Sequence, residues 1–358
     1  MSVAAVEAAD AEVVVDRRVA ARRLSLWLIL LLLVMATASL AMGAAGTSLW
    51  SALADLVQGR VLAPIDSAIL WNIRLPRTVM AILVGAALAV SGAVLQGLFR
   101  NPLADPALVG VSSGAALGAI SAIVLGATLP TSVAAIAGPH LVPLAAFAGS
   151  WITIMVLYRI STRAGQTSVA TMLLGGIAIG AMAAAGSGLL IYMADDQQLR
   201  DLNFWQLGSL AGSTWARVSV AAPIILIALT ASPFLARGLN ALALGEAPAA
   251  HLGVPVQRLK TLAVLVVAAA TGAAVAVSGG IGFVGIVVPH LLRLGSGPDH
   301  TTLLPNVALL GASLLLAADI AGRIVIAPAE LPIGIVTAIM GAPVFLWILM
   351  QRRGELAL

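Results

Sequence analysis

Cysteine, lysine and charged residues in general are scarce in this chain of 358 amino acids. Cysteine is absent, lysine occurs once, at position 260, and charged residues amount to 9% of the total. Without cysteine, the chain forms neither disulfides nor cysteine-ligated metal clusters. A soluble domain typically carries roughly 25% charged residues. The scarcity of charge therefore excludes a soluble enzyme, a disordered tail protein and a peripheral membrane protein.

Apolar residues take the place of the missing charges. They make up 61% of the chain, and the mean hydropathy is +1.07. The 35 glycines, many of them among alanine and serine, suit close packing of helices in lipid. The formal net charge is only +4, and the basic residues are dispersed between apolar runs, so no nucleic-acid partner is expected. This composition predicts an all-α integral membrane protein with several spans.

Ten apolar segments are candidate membrane spans, since a spanning helix needs about 20 mostly apolar residues. They are Leu24–Met42, Val79–Phe99, Leu108–Leu129, Leu141–Tyr158, Val169–Met193, Val218–Leu235, Leu262–Val277, Val284–Leu294, Leu303–Ala318 and Ile333–Met350. The eighth is short and contains Pro289, so it is expected to be a broken or half-length span. The first is too long for a typical cleaved signal peptide and is interpreted as a retained span.

The distribution of basic residues predicts the orientation in the membrane. With both termini in the cytoplasm, thirteen basic residues fall in inner segments and six in outer ones, as the positive-inside rule requires. Residues 1–23 then form a polar, partly disordered cytoplasmic tail, residues 24–353 the membrane domain, and residues 354–358 a second cytoplasmic tail. The chain is therefore predicted to be a multi-pass membrane protein with both termini in the cytoplasm.

A weak internal repeat links the second and seventh predicted spans. Val90-Ser91-Gly92 lies late in the second, Val277-Ser278-Gly279 ends the seventh, and an Arg-Leu pair precedes each span. The two spans run in opposite directions, so the copies would form an inverted repeat, as in many transporters. Chance similarity between helices rich in alanine, valine and glycine explains the match equally well.

Motifs for energy coupling are missing from the sequence. Leu259 precedes the single lysine where a phosphate-binding loop needs glycine, so the chain has no P-loop of its own. No predicted span carries the buried acidic or basic chain that a proton relay or ion-coupled carrier usually needs. These observations predict that another subunit supplies the energy. An ion-coupled secondary carrier remains the alternative, and no polar cluster supports a membrane-embedded enzyme.

Two groups of residues stand out from the apolar background. The inner loop over about residues 237–260 is punctuated by glycine and proline, which predicts two short helices on the membrane face and a docking role rather than a plain connector. Arg74, Arg77 and Arg323 fall at the outer face, against the general bias. From their position alone, snorkelling to lipid headgroups is the favoured explanation, and an anionic partner is the alternative. The four histidines show no metal-ligand spacing and are interpreted as satisfied surface or interfacial side chains.

Several motifs taken together resemble one family. They are Ile73-Arg74-Leu75-Pro76-Arg77-Thr78, Asn101-Pro102-Leu103-Ala104-Asp105-Pro106, Phe204-Trp205-Gln206-Leu207-Gly208-Ser209, Gly282-Phe283-Val284-Gly285 with Pro289-His290, and Glu330-Leu331-Pro332-Ile333-Gly334. The sequence resembles the permeases of iron-siderophore, haem and vitamin B12 ABC importers over nearly its whole length. The resemblance implies the type II ABC importer permease fold with about ten transmembrane helices.

The resemblance also implies partners for the chain. These are a second copy of the chain, two cytoplasmic ATPase subunits that use ATP and magnesium, and one periplasmic binding protein, with no cofactor or metal bound by the chain itself. The stretch Asp195–Leu202 resembles haem permeases most, so haem is the favoured cargo, and a ferric siderophore or vitamin B12 is the alternative.

Site residues follow from the same resemblance, position by position. The binding protein would dock on Arg74, Arg77 and Arg323, and the ATPase would meet a coupling segment. Thr167 and Ser168 match a cytoplasmic gate, although a serine there is also expected as a helix N-cap. An apolar wall with Met172 and Leu173 would suit either a porphyrin or a siderophore. The coupling segment comprises Gly245, Glu246, Ala249, Leu252 and Gly253, with Glu246 expected to pair with a basic group on the ATPase.

Overall fold

A computed structural model describes residues 3–42, 64–128, 130, 138–163 and 166–351 of the chain. Nearly all of these residues are helical. The helices are α1 (Val3–Ala41), α2 (Pro64–Ala68), α3 (Leu75–Phe99), α4 (Val111–Leu125), α5 (Leu141–Ser161), α6 (Val169–Met193), α7 (Asp196–Leu207), α8 (Trp215–Leu242), α9 (Glu246–His251), α10 (Val256–Ser278), α11 (Val284–Ser296), α12 (His300–Ile324) and α13 (Ile333–Gln351).

Short segments connect some of these helices. A π-helical segment, Ile69–Arg74, joins α2 to α3 without a break, and 3-10 turns cover Pro106–Val109, Gly126–Thr128 and Gly138–His140. Between α5 and α6 the strands β1 (Thr162–Arg163) and β2 (Gln166–Thr167) pair antiparallel. The register pairs Thr162 with Thr167, so this hairpin brings the start of α6 beside the end of α5.

The predicted all-α membrane fold is confirmed, and the helices stand at the ten predicted positions. Seven stretches in the described part of the chain are long and apolar enough to cross a membrane, and α4, α11 and α13 supply three shorter apolar helices. The eighth predicted span is indeed short, since α11 has 13 residues. It begins after Phe283, whose φ of 68° interrupts any helical path from α10.

Helix α3 forms the centre of the bundle. It packs against α8, α10, α11 and α12. Of the residues in its apolar 18-residue stretch, 89% are buried inside the chain. A helix that is apolar all round is covered by other helices or by lipid, and α3 is covered mainly by other helices. Much of α6, by contrast, faces outward, since only 17% of the residues in its apolar 18-residue stretch are buried.

Small residues allow the backbones of neighbouring helices to touch. A Cβ added to Gly92 of α3 would lie 1.9 Å from the carbonyl oxygen of Gly285 in α11. In α4, a Cβ on Gly114 would lie 2.6 Å from the Gly149 oxygen of α5, and one on Gly118 would lie 2.0 Å from the Ala145 oxygen. Close approach at small residues supplies van der Waals contact in lipid, where the hydrophobic effect between helices is absent.

Two predictions about the termini and loops need correction. Residues 3–23, expected as a partly disordered tail, belong to α1, while the predicted C-terminal tail at 354–358 lies outside the described residues. The inner loop forms one separate short helix, α9, rather than two. Residues 237–242 instead continue α8, because Leu239 and Leu242 pack into the apolar core and extend its buried face.

Candidate functional site

The predicted functional residues lie at opposite ends of the bundle. We call the end at which α1 ends and α3 begins the upper face, and the end at which α8 ends and α10 begins the lower face. Hydrogen bonds from the His300 N–H and the His300 ring to Asn240 Oδ1 tie the start of α12 to the end of α8, so α12 runs from the lower to the upper face.

At the upper face, an arginine cluster surrounds one carboxylate. Arg77 Nη2 of α3 lies 2.9 Å from Asp319 Oδ1 of α12, and Arg323 Nη2 lies 3.0 Å from Asp319 Oδ2. Arg77 Nη1 also donates to Glu330 Oε1, 2.9 Å away, in the connection between α12 and α13. The Asp319 side chain is 1% exposed and that of Glu330 is 41% exposed. Asp319 is therefore the inner counter-charge and Glu330 the outer one.

Arg323 of this cluster, together with Arg74 at the residue before α3, also holds the end of α1. Arg74 Nη1 donates to the Leu40 carbonyl at 2.7 Å, and Arg323 Nη1 donates to the Met42 carbonyl at 3.0 Å. Arg323 Nη2 reaches the Ser39 hydroxyl at 2.9 Å. The last carbonyls of a helix lack intrahelical partners and carry the negative end of the helix dipole, so cations stabilise that end. The arginine cluster thus joins α1, α3 and α12.

The three predicted docking arginines do come together, but as an interior cluster. Arg74, Arg77 and Arg323 are 4%, 8% and 6% exposed, so in the single chain they are largely buried. Asp319 and two of the arginines are buried just beyond the ends of the predicted spans, within the helices α3 and α12. The docking role itself stays a prediction.

At the lower face, α9 presents the predicted coupling segment. Gly245, with φ of 116°, ends the turn after α8, and Ala249 is completely buried beneath the short helix. Leu252 is 66% exposed, and Gly253 has φ of 82° with open space around the position of a Cβ. The segment therefore has a buried anchor and an exposed apolar side chain.

Glu246 is paired within the chain, but its side chain is 44% exposed, so its expected pairing with the ATPase stays a prediction. Its Oε1 lies 2.8 Å from Lys260 Nζ of α10. Lys260 also donates to the Thr167 carbonyl at 2.7 Å, and the Thr167 N–H donates to Gln257 Oε1 at 2.9 Å. We call Lys260, Gln257, Glu246 and Thr167 the lysine junction. In the sequence, Lys260 stands out only as the single lysine, and no phosphate loop contains it.

The predicted gate and pathway residues lie next to this junction. Thr167 is buried at 4% exposure, and Ser168 accepts a hydrogen bond from the Thr171 N–H as the N-cap of α6. The N-cap interpretation of Ser168 is thus confirmed, and the gate role stays a prediction. Met172 is 1% exposed within the core and Leu173 is half-buried, and the pathway role of both stays a prediction.

The histidines near the lower face agree only in part with the predicted surface or interfacial positions. His290 and His300 are buried, so they are not surface side chains as expected, and the Nε2 atom of His300 has no hydrogen-bond partner. Burial raises the pKa of Asp299, but hydrogen bonds from Thr301 and Asn240 outweigh it and hold the pKa below its usual value. Among the described residues, no cluster of three or more histidine and acidic side chains is placed to hold a metal ion.

Three motifs that are far apart in sequence meet at one junction. A Cβ on Gly208, at the end of α7, would lie 2.4 Å from the Gly280 carbonyl oxygen, and one on Gly334 would lie 2.7 Å from the same atom. The Ile333 N–H donates to the Gly208 carbonyl at 3.0 Å. Spacing along the chain gives no sign of this contact, because the segments come from three different connections.

The chain belongs to the FecCD transport family, whose model matches residues 30–351. The described fold therefore forms the membrane domain of a transport permease. The match covers every helix of the bundle from within α1 to the end of α13.

Similar proteins are permeases named for haem and vitamin B12. The chain is 45% identical over 342 residues to the "Hemin transport system permease protein HmuU" of Yersinia pestis, covering 94% of this chain and 98% of that protein. It is 42% identical over 328 residues to the "Vitamin B12 import system permease protein BtuC" of Shigella boydii, covering 91% and 95% respectively. It is 46% identical over 285 residues to a "Cobalamin import system permease protein BtuC" of Halobacterium salinarum, covering 80% and 74%.

Solved structures share the fold. One described as an inward-facing metal-chelate type ABC transporter superposes with a TM-score of 0.80 at 32% identity, covering 92% of this chain and 99% of that one. A second, PsaBC of Streptococcus pneumoniae in complex with Fab, has a TM-score of 0.53 at 17% identity and shares the fold alone. The type II ABC importer permease fold expected from the sequence is confirmed.

Proposed function

We propose that this FecCD-family permease forms, with a second copy of itself, the membrane channel of an ATP-driven importer that carries haem into the cytoplasm. Two ATPase subunits would bind the lower face and one binding protein the upper face. The observation that carries the proposal is the exposed helix α9, anchored by buried Ala249, in a chain that has no phosphate loop of its own. A rigid exposed element at that face suits energy supplied by another subunit.

Haem is proposed over other cargoes on the match to the haemin permease, which extends over 98% of that protein at 45% identity. Vitamin B12 is the second candidate because permeases of that name reach 42% to 46% identity. The test is uptake by proteoliposomes holding the permease, its ATPase and its binding protein, with haem, cyanocobalamin or a ferric siderophore. We expect ATP-dependent accumulation of haem. Uptake of cobalamin alone would transfer the proposal to that cargo, and uptake driven by a proton gradient without ATP would favour a secondary carrier.

The proposed orientation places both termini and the lower face in the cytoplasm. Because the chain lacks cysteine, single substitutions report on sidedness without background. We expect Asp196→Cys, exposed at the start of α7, to react with a membrane-impermeant maleimide in intact spheroplasts, and Ala250→Cys, exposed on α9, to react only after permeabilisation. Both are tested with the chain expressed alone, so that no partner covers α9. The reverse pattern of labelling would invert the topology.

Docking of the binding protein through Arg74, Arg77 and Arg323 is proposed for the upper face. We expect Arg74→Glu with Arg77→Glu to abolish binding of the periplasmic partner, because carboxylate partners of the arginines lose their attraction. Because Arg77 also pairs with buried Asp319, the double variant is expected to be less stable. Affinity is therefore measured at low and high salt on the fraction that remains folded, and Arg200→Glu on exposed α7 serves as the control. Unchanged affinity of the double variant at both salts would leave a purely structural role for these arginines.

Coupling through α9 predicts a specific effect of Gly253. A non-glycine residue in the left-handed conformation costs roughly 1–2 kcal/mol, so Gly253→Val is expected to shift the exit of α9 while the fold survives. Uptake per ATP hydrolysed is expected to fall about tenfold, within the usual span of coupling energies.

A matched control for Gly253 lies at the other lower-face connection. Gly297 has φ of 83° against 82° for Gly253, and open space surrounds both. Gly297→Val therefore also strains a backbone with positive φ, but away from α9, and is expected to leave the ratio of uptake to hydrolysis unchanged. Equal losses in both variants would show that strain, and not the position of α9, causes the defect.

A further inference from the structure

Lys260 is the single lysine of the chain and one of its most deeply buried charged residues. Its relative exposure is 2%, and it lies in the second turn of α10 at the lower face. A buried ammonium group is costly unless it is paired and hydrogen-bonded. Its surroundings must therefore supply hydrogen-bond acceptors. Two acceptors are present, and both belong to segments that precede α10 in the chain.

Lys260 binds two segments at once. Its Nζ lies 2.8 Å from Glu246 Oε1 at the start of α9 and donates to the Thr167 carbonyl at 2.7 Å, at the end of β2. Gln257, one helical turn earlier on the same face of α10, accepts from the Thr167 N–H at 2.9 Å. The first turns of α10 thus hold the Thr167 backbone by both its N–H and its C=O group.

Open space separates the two segments that Lys260 joins. A cavity of about 930 Å³ lies between α9 and the hairpin, and its lining includes Glu246, Ala250, Thr167 and Ser168. Across open space the two walls have no direct contact through which a displacement could pass. The lysine side chain beneath it connects the walls directly.

We propose that Lys260 is the positioning residue that makes α9 and the Thr167–Ser168 segment ahead of α6 move as one body. This rests on the proposed function, in which the ATPase displaces α9. The displacement would pass through the Glu246 carboxylate and the Lys260 ammonium to the Thr167 backbone, and from there to the N-terminus of α6.

Matched substitutions separate this role from simple packing. Lys260→Met keeps a long unbranched side chain but removes the charge and all three donors, whereas Lys260→Arg keeps a charge and several donors. Arg258→Met removes a cation from the same turn of α10 and the same cleft, where its side chain is exposed. In the reconstituted importer, we expect Lys260→Met to lower uptake per ATP about tenfold, Lys260→Arg to restore much of it, and Arg258→Met to leave it unchanged.

A distance measurement tests the link without transport. Spin labels at Ser168→Cys and Ala250→Cys, both exposed, span the cleft in the otherwise cysteine-free chain. We expect one narrow distance distribution in the Lys260 chain and a broad one in Lys260→Met, in the permease alone and in the nucleotide-bound complex. Glu246→Gln, which removes the charge of the exposed partner, provides a second variant if Lys260→Met does not fold.

The outcomes distinguish this proposal from the proposed function. An unchanged distance distribution in Lys260→Met, together with an unchanged ratio of uptake to hydrolysis, would overturn the role of Lys260. If the unsubstituted importer shows no ATP-driven uptake, the proposed function fails, and the distance measurement on the permease alone still decides whether Lys260 joins α9 to the segment ahead of α6.

Discussion

Asp319→Asn is expected to destabilise the folded chain by about 3–5 kcal/mol, the range for removing one partner of a buried ion pair. The substitution keeps the volume of the side chain but leaves Arg77 and Arg323 facing each other without the carboxylate that lies 2.9 and 3.0 Å from them. Both arginines are nearly enclosed, so water does not replace the lost charge. Unfolding by SDS in mixed micelles, followed by tryptophan fluorescence, measures the change.

Glu330→Gln is the matched control for Asp319→Asn. Glu330 also pairs with Arg77 at 2.9 Å, but its side chain is 41% exposed, so solvent screens the interaction. Exposed ion pairs typically contribute under about 1 kcal/mol, and a loss of that size is expected. Equal effects of the two substitutions on the free energy of unfolding would show that burial does not determine how much Asp319 stabilises the fold.

Gly92→Ala is expected to destabilise the bundle by at least about 3 kcal/mol, at or beyond the upper end of ordinary overpacking. The added Cβ would stand 1.9 Å from the Gly285 carbonyl oxygen, and a backbone atom has no rotamer by which to move away. Helices α3 and α11 must therefore separate. Because α3 is the central helix, its other contacts are disturbed as well. The same SDS titration measures the loss.

Gly295→Ala provides a control of opposite sign on α11 itself. No atom lies within 4 Å of the position that its added Cβ would take, and the residue is helical and exposed. Replacing glycine by alanine inside a helix then stabilises it by roughly 0.5–1 kcal/mol. A stabilising effect of Gly92→Ala as well would contradict the close approach of α3 and α11.

The positions of the helices follow from the sequence because the lipid bilayer imposes a simple rule. Every backbone polar group in the membrane core must be bonded within its own helix, so long apolar runs become helices whatever their neighbours. The short α11 was also predictable, since Pro289 and the glycines before Val284 stand in the sequence. The helical state of residues 3–23 was missed because their charges gave no apolar run from which to predict it.

For the site residues, the sequence predicted the arginines themselves but not the residues that they contact. Arg74, Arg77 and Arg323 were selected from the sequence because cations at an outer face are unusual, and they do lie together. Their partners were not predicted, because Asp319 is 242 residues from Arg77 in the chain and no spacing rule joins them. That these arginines are buried around a carboxylate is therefore known only from the structure.

The sequence by itself determined that this chain is a multi-span helical permease, since composition, hydropathy and family motifs are properties of single segments. Only the tertiary structure decided which polar groups meet: Lys260 with Glu246 and Thr167, and Asp319 with two arginines. The physical reason is that a buried charge needs a counter-charge within a few ångströms, and α3, α10 and α12 bring distant segments to that distance. The hydropathy of a residue reflects the free-energy cost of burying it, but it does not show which counter-charge compensates that cost.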